Sequence, residues 1–221
     1  MTAKNSKGVT VCVTKGGATA APGTPTAIAK SSTAGDDRVH IALADTTAYK
    51  VGDVVTIPTG STGFAAIDGK SWTVGAIDAT GIILNGTKFA SGTLSATPSI
   101  NHYLSSDMVC LCLSDLKFSA EKGTTVSVAT FCDPSASIPS ASTTAGTVDI
   151  GGFVDVSTAD YKEIVAAELD GAERIFRVML PGNGEIIFPA IVSTLGWDVP
   201  IDGAVAWTAQ LALGSRPRHL Y

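Results

Sequence analysis

The sequence predicts a mainly β fold, sandwich- or barrel-like, with one short α-helix and a small all-β module inserted into it. Three observations predict this class. Runs such as GVTVCVT (8–14) and AVAWTAQLALGS (204–215) alternate residue character with period two. Clusters of Gly, Asn and Asp divide such runs at short intervals, with Asn85-Gly86 and residues 78–81 the sharpest. Only one stretch, DVSTADYKEIVAAELDGA (155–172), changes to helical spacing. The 221 residues suffice for a real core, and 16% charged residues with abundant Gly, Ala, Ser and Thr suit packed β layers and exclude disorder.

Taken in order, residues 8–14 form a first strand with Val9, Val11 and Val13 on one side. The following KGGATAAPGTPTAIAKSSTAG is small, Pro/Gly-punctuated and without period, and is expected to be an arm that is mobile or lies on another subunit. From residue 37 to residue 98, RVHIAL, DVVTIP, SWTVGAI and GIILNG are short β runs separated by turn clusters, the pattern of an inserted module. The larger domain, 1–36 with 99–221, resumes at DMVCLCLSDLKFSAE and TTVSVATF. It crosses a Pro/Ser-rich loop (DPSASIPSAST) and reaches GTVDIGGFVDV.

The helix is expected near 158–169, capped by Ser157 or Thr158, with Asp160 in its first turn and Gly171 after its last. Its apolar stripe is Tyr161, Ile164, Val165 and Ala167 to Leu169. A meander follows: ERIFRVMLP, a Gly-Asn-Gly turn, GEIIFPAIVSTLGWDVP, a turn at Ile201-Asp202-Gly203, and the last strand. In that strand Val205, Trp207, Ala209, Leu211 and Leu213 make a bulky face for the core, and Ala204, Ala206, Thr208, Gln210 and Ala212 a smooth face for water or another surface.

Residues 185–192 pose a problem, because Ile186, Phe188, Ala190 and Val192 face one way while Glu185, Ile187, Pro189 and Ile191 face the other. Both sides are apolar. Together with open strand edges, this predicts a subunit completed by neighbouring copies.

The search for chemistry excludes more than it finds. His40, His102 and His219 lack HxH or HExxH spacing, no serine sits in GxSxG, and no glycine pattern matches a phosphate cradle. The aspartates at 36, 37, 45 and 53 do not follow a calcium-loop spacing. No enzyme activity, cofactor or metal is therefore expected. No apolar run reaches the length of a membrane span, and the N-terminus reads as mature protein made in a cytosol. Cys12, Cys110, Cys112 and Cys132 are accordingly expected to be buried thiols; Cys110 and Cys112 are too awkwardly spaced to bridge each other.

Residues 1–35 carry Lys4, Lys7, Lys15 and Lys30 and no acid, whereas residues 101–221 hold fourteen acids against seven bases. No basic cluster suits a nucleic-acid groove. Candidate contacts with neighbouring copies lie in segments without a private core: Lys15 and Lys30 in the arm, Asp133 in the Pro/Ser loop (133–144), and Arg216 and Arg218 in the tail.

The C-terminal run from IGGFVDVSTADYKEIVAAELDG through ERIFRVMLPGNGEIIFPAIV to GWDVPIDGAVAWTAQLALGSR resembles the tail tube proteins of long-tailed, non-contractile bacteriophages. The shared order is strand, lone helix, strand, Gly turn, G-x-I-x-F strand, a segment ending in V-P-I-D-G, and a last strand closed by glycine. The resemblance covers roughly residues 107–217 with the first strand, and not the insertion. It implies a structural virion protein of the phage tail, assembled as hexameric rings stacked into a tube. Other tail proteins would be its partners, and genome DNA would pass the lumen during ejection without specific binding. It also implies an acidic lumen, which repels phosphates and matches the acidic balance of residues 101–221. The insertion is expected to project outward. Rival readings are a capsid-decorating protein, the tube of a contractile machine, or a carbohydrate-binding or adhesion module. The last lacks an aromatic platform if Trp72, Trp197 and Trp207 all lie in strands.

Overall fold

The computed structural model describes residues 9–16, 21–33, 35–90, 94, 98–119, 122–127, 137–144, 146–181, 184–213 and 218–220; for 21–22, 122–127, 137–144 and 218–220 only the backbone is described. The fold is mainly β with one helix, as the alternation predicts. The strands are β1 (Thr10–Thr14), β2 (Ala21–Gly23), β3 (Pro25–Lys30), β4 (Val39–Leu43), β5 (Val54–Ile57), β6 (Lys70–Ile77), β7 (Gly81–Leu84), β8 (Ile100–Tyr103) and β9 (Met108–Leu111). They continue as β10 (Leu113–Ser119), β11 (Lys122–Ser127), β12 (Ser137–Thr144) and β13 (Thr147–Phe153) before the helix α1 (Ala159–Asp170). After it come β14 (Arg174–Met179), β15 (Glu185–Asp198), β16 (Ala206–Leu213) and β17 (Arg218–Leu220).

The chain divides into two compact units: 1–111 with 174–189 and 217–221, and 112–173 with 190–216. In the first unit a seven-stranded sheet runs β2-β8-β5-β6-β7-β4-β3. Its two edge strands are consecutive in the chain, separated only by Thr24. A single linking residue spans only a few ångströms, so the sheet must curl round until its edges meet, as a barrel does. Pro25–Lys30 pairs with β4, Lys30 opposite Val39, so this part of the expected arm belongs to the chain's own sheet. Apolar side chains of β4–β7 are buried together, with Ile28 of β3 packed against them.

The same unit holds β1 between β14 and β9, both antiparallel to it, with β15 beyond β14 and β17 on residues 185–187. One core joins the two sets of strands: Val39, Ile41, Val54, Ile57, Trp72, Val74, Ile82 and Ile100 share a buried cluster with Ile175 of β14 and Ile187 of β15. Ile187 is only 2% exposed. The second apolar side of residues 185–192 is thus covered at Ile187 by the chain's own barrel, not by a neighbouring copy. Sequence shows that a strand is two-sided but not which distant segment lies over it.

A disulfide between Cys12 and Cys110 corrects the expectation of four free thiols. The antiparallel register of β1 and β9 sets the two residues opposite each other, a pairing across 98 residues that local spacing does not reveal. Cys112 is a free thiol and is exposed, again unlike the expectation, because it sits between strands and not within one. Cys132 lies outside the described residues.

In the second unit β10-β13-β16 and residues 190–198 of β15 form an antiparallel sheet. The helix begins at the expected place, with Thr158 at its N-cap and Gly171 (φ 59°) at its C-cap, where only glycine enters the left-handed region freely. The cap bond itself is absent: Thr158 Oγ1 donates back to the Asp155 carbonyl at 2.8 Å, and Ser157 Oγ donates to Asp155 Oδ1 at 2.6 Å. Asp160, in the first turn, accepts instead from the Cys112 amide at 3.0 Å. The buried stripe is narrower than the expected one, consisting of Ile164 and Ala167, with Leu169 exposed. Ser137–Thr144, expected as loop, is a strand paired with β11.

Candidate assembly surface

Alternation in β16 and its neighbours creates two unlike faces. On one side Val148, Ile150, Val192, Trp207, Ala209, Leu211 and Leu213 are buried, as are Ile164 and Ala167 of the helix. The expected bulky face is therefore core. The other face follows from the strand register. Lys117 lies opposite Asp149, Asp149 opposite Gln210, and Gln210 opposite Thr194, a row across all four strands. The next row is Asp115, Gly151, Thr208 and Gly196, and the one after it Phe153, Ala206 and Asp198.

This second face is built of small and polar side chains, with Asp115, Asp149 and Asp198 against Lys117. Gln210 Nε2 donates to Asp149 Oδ1 at 3.1 Å, and Ser193 Oγ donates to the Gln210 carbonyl at 2.8 Å, so the middle row is tied across strands. A shallow depression of about 450 Å³ lies over it, lined by Asp149, Thr194, Thr208 and Gln210 among others. The face offers neither a nucleophile–base pair nor a metal-ligand cluster; no group of three His, Cys, Asp or Glu suited to a metal occurs among the described residues.

Two strand edges flank this face. β10 pairs only with β13, and residues 194–198 of β15 pair only with β16, among the described residues. Unpaired edges carry backbone N–H and C=O groups ready to accept another strand. At one end of the sheet, exposed apolar side chains gather on the end of β13, the end of β15 and the segment between β15 and β16: Phe153, Val156, Trp197, Val199 and Ile201, the last fully exposed. Trp197 is held in place by its indole, which donates to Tyr161 Oη on the helix at 2.8 Å.

The contact residues named from sequence lie elsewhere. Lys15 Nζ donates to the Ser106 carbonyl at 3.2 Å, and Lys30 forms an exposed ion pair with Asp37. Arg218 lies in β17 opposite Ile187, its side chain outside the described residues, as are Asp133 and Arg216 altogether. The polar rows and the apolar end were not singled out from sequence, although the alternation of 204–213 held the signal for the smooth face. Trp72, Trp197 and Trp207 do lie in strands, as expected.

No protein-family model and no curated protein matches the chain. Among solved structures it is similar to a chain in the tail of an empty GTA particle refined helically with C6 symmetry (TM-score 0.39, 11% identity, covering 49% of this chain and 82% of that chain). It is similar as well to a chain in the virion of a native gene transfer agent particle (TM-score 0.39, 11% identity, 49% and 85% covered). At these scores the likenesses decide nothing about function.

Proposed function

We propose that the protein is a structural virion protein that assembles into stacked rings, hexameric as the resemblance in its C-terminal half implies, forming a phage tail tube. The observation that carries this reading is the sheet of the second unit, with a small, acidic, water-facing side bounded by two open edges. Joining the β10 edge of one copy to the 194–198 edge of the next would seal both edges and continue the sheet around a ring. The smooth face would then line the lumen. Asp115, Asp149 and Asp198 on that wall repel DNA phosphates, so the genome slides without adhering. The apolar end at Phe153, Trp197 and Ile201 would meet a further copy along the tube axis, since patches of this kind mark association surfaces. The smooth rows offer no reactive constellation, which favours a structural role over a catalytic one.

The test is a triple variant, Asp115→Lys, Asp149→Lys and Asp198→Lys, examined in assembled particles. Tubes should form, because the joining bonds are made by edge backbone groups and these side chains stand out from the face, although Asp115 and Asp198 lie on the joining strands; DNA release should slow by at least tenfold. Unchanged release would remove these residues from the lumen.

A further inference from the structure

Every strand of the seven-stranded barrel, β2 to β8, lies in the chain between Cys12 of β1 and Cys110 of β9. The disulfide joining these two residues, 98 positions apart, therefore closes a covalent ring at the root of the barrel. The strands it joins are held differently. β1 has a partner on each side, β14 and β9, and is buried from Val11 to Thr14. β9 is four residues long and, among the described residues, pairs only with β1. Of its side chains only Leu111 is buried, while Met108, Val109 and Cys110 are partly exposed. A short edge strand with so little burial is the part of a sheet that opens first. The disulfide is a tie that neither its ladder nor its packing supplies.

The strand register, not the bond, brings the sulfurs together. Val11 lies opposite Leu111 and Val13 opposite Val109, so Cys12 and Cys110 stand across from each other on one face of the sheet. Burial of Val11, Val13 and Leu111 favours that register in a reduced chain as well. The two thiols therefore meet in the folded protein before they are oxidised. Access to them is unequal. Cys12 is 3% exposed, whereas Cys110 is partly exposed at the sheet edge, so a reagent from solvent reaches Cys110 first. Cys112 is exposed and remains a thiol.

Disulfides form and persist in oxidising surroundings and are rare where a glutathione pool keeps thiols reduced. On the assembly reading, the protein is made and assembled inside a host cell and works outside it. We propose, resting on that reading, that Cys12 and Cys110 form a maturation staple: a dithiol while the chain folds and assembles, and a disulfide after release, when it locks β9 and the root of the barrel. The oxidant is a small disulfide such as glutathione disulfide. The Cys110 thiolate attacks one sulfur of it and expels a glutathione thiolate; the Cys12 thiolate then attacks Cys110 Sγ and expels the second. Two protein thiols become one disulfide, glutathione disulfide takes up the two electrons, and the two protons end on the two glutathione thiols.

The experiment has two arms. In the first, cells producing the particles are lysed directly into denaturant with N-ethylmaleimide, released particles are treated in the same way, and peptide mass spectrometry reads Cys12 and Cys110. Both should carry label in the sample from cells and be linked to each other in the released particles. In the second arm the purified, reduced protein is incubated with glutathione disulfide, and hydrogen exchange is measured before and after. Oxidation should slow exchange of the 108–111 amides at least tenfold and leave those of β16 unchanged. Cys110→Ala, at a partly exposed position, should keep the reduced rate under both conditions. A bond already closed inside the cell, two free thiols in released particles, or 108–111 exchange that ignores oxidation would overturn the proposal. A chain absent from the released particles would instead contradict the assembly reading, and the second arm would still decide whether the staple closes and locks β9.

Discussion

Thr73 Oγ1 donates a hydrogen bond to Glu185 Oε2 at 2.6 Å, joining the seven-stranded barrel to β15 across 112 residues of chain. The other oxygen of Glu185 pairs with Arg177, whose Nη1 donates to the Gly52 carbonyl at 3.0 Å. Both side chains of the ion pair are largely buried, at 14% and 12% exposure. Beside them, Ile175 and Ile187 enter the barrel's core. Residues 37–98 thus contribute buried contacts to β14 and β15.

Glu185→Ala should lower stability by about 3 kcal/mol, because it leaves the Arg177 guanidinium without its carboxylate in a poorly solvated place. Lys30→Ala, at an ion pair whose side chains are both about half exposed, should change stability by less than about 1 kcal/mol. Urea unfolding monitored by circular dichroism measures both, and equal effects would show that the buried pair is not special.

Ile187→Ala should cost about 2–5 kcal/mol in the dilute, unassembled protein, the usual range for emptying a fully buried aliphatic site. If neighbouring copies covered this side chain, dilute stability would be unchanged and only assembly would suffer. Deleting residues 37–98 should for the same reason expose Ile175 and Ile187 and lower the melting temperature sharply, as read by calorimetry.

Asp78 is held down to about 2 by the Thr80 hydroxyl and amide, with burial opposing and His40 adding a smaller pull. Its folded value lies below the unfolded one, so the unfolded state binds more protons between them. The resulting stability is fully present above about pH 4 and is lost as pH falls through about 2. Carboxyl NMR should show Asp78 titrating near pH 2, and Asp78→Asn should flatten the acid limb of the stability curve. Titration near the ordinary aspartate value would contradict the Thr80 geometry.

Cys112 should react with a maleimide in the folded, unreduced protein at least tenfold faster than Cys12 or Cys110. Peptide mapping without reductant should recover Cys12 linked to Cys110, and only Cys112 of these three should carry label.

The strand alternation, the helix at 159–170 and its Gly171 terminus were all legible in sequence, since each rests on neighbours a few residues apart. What sequence withheld depends on contacts across long stretches of chain. Ile187 looked like a surface for another copy because nothing local announces that the barrel covers it. Cys12 and Cys110 looked like separate thiols because only the β1–β9 register brings them face to face. The smooth side of 204–213 was readable from its alternation, but its acidic rows needed the register of four strands to assemble Asp115, Asp149 and Asp198 on one wall.

The most direct test of the central claim is electron cryomicroscopy of particles or tubes assembled from this chain. The account predicts rings in which the β10 edge of one copy continues into residues 194–198 of the next, with Asp115, Asp149 and Asp198 facing a central channel. A map in which those edges remain unpaired, or in which the acidic rows face the outer surface, would contradict it.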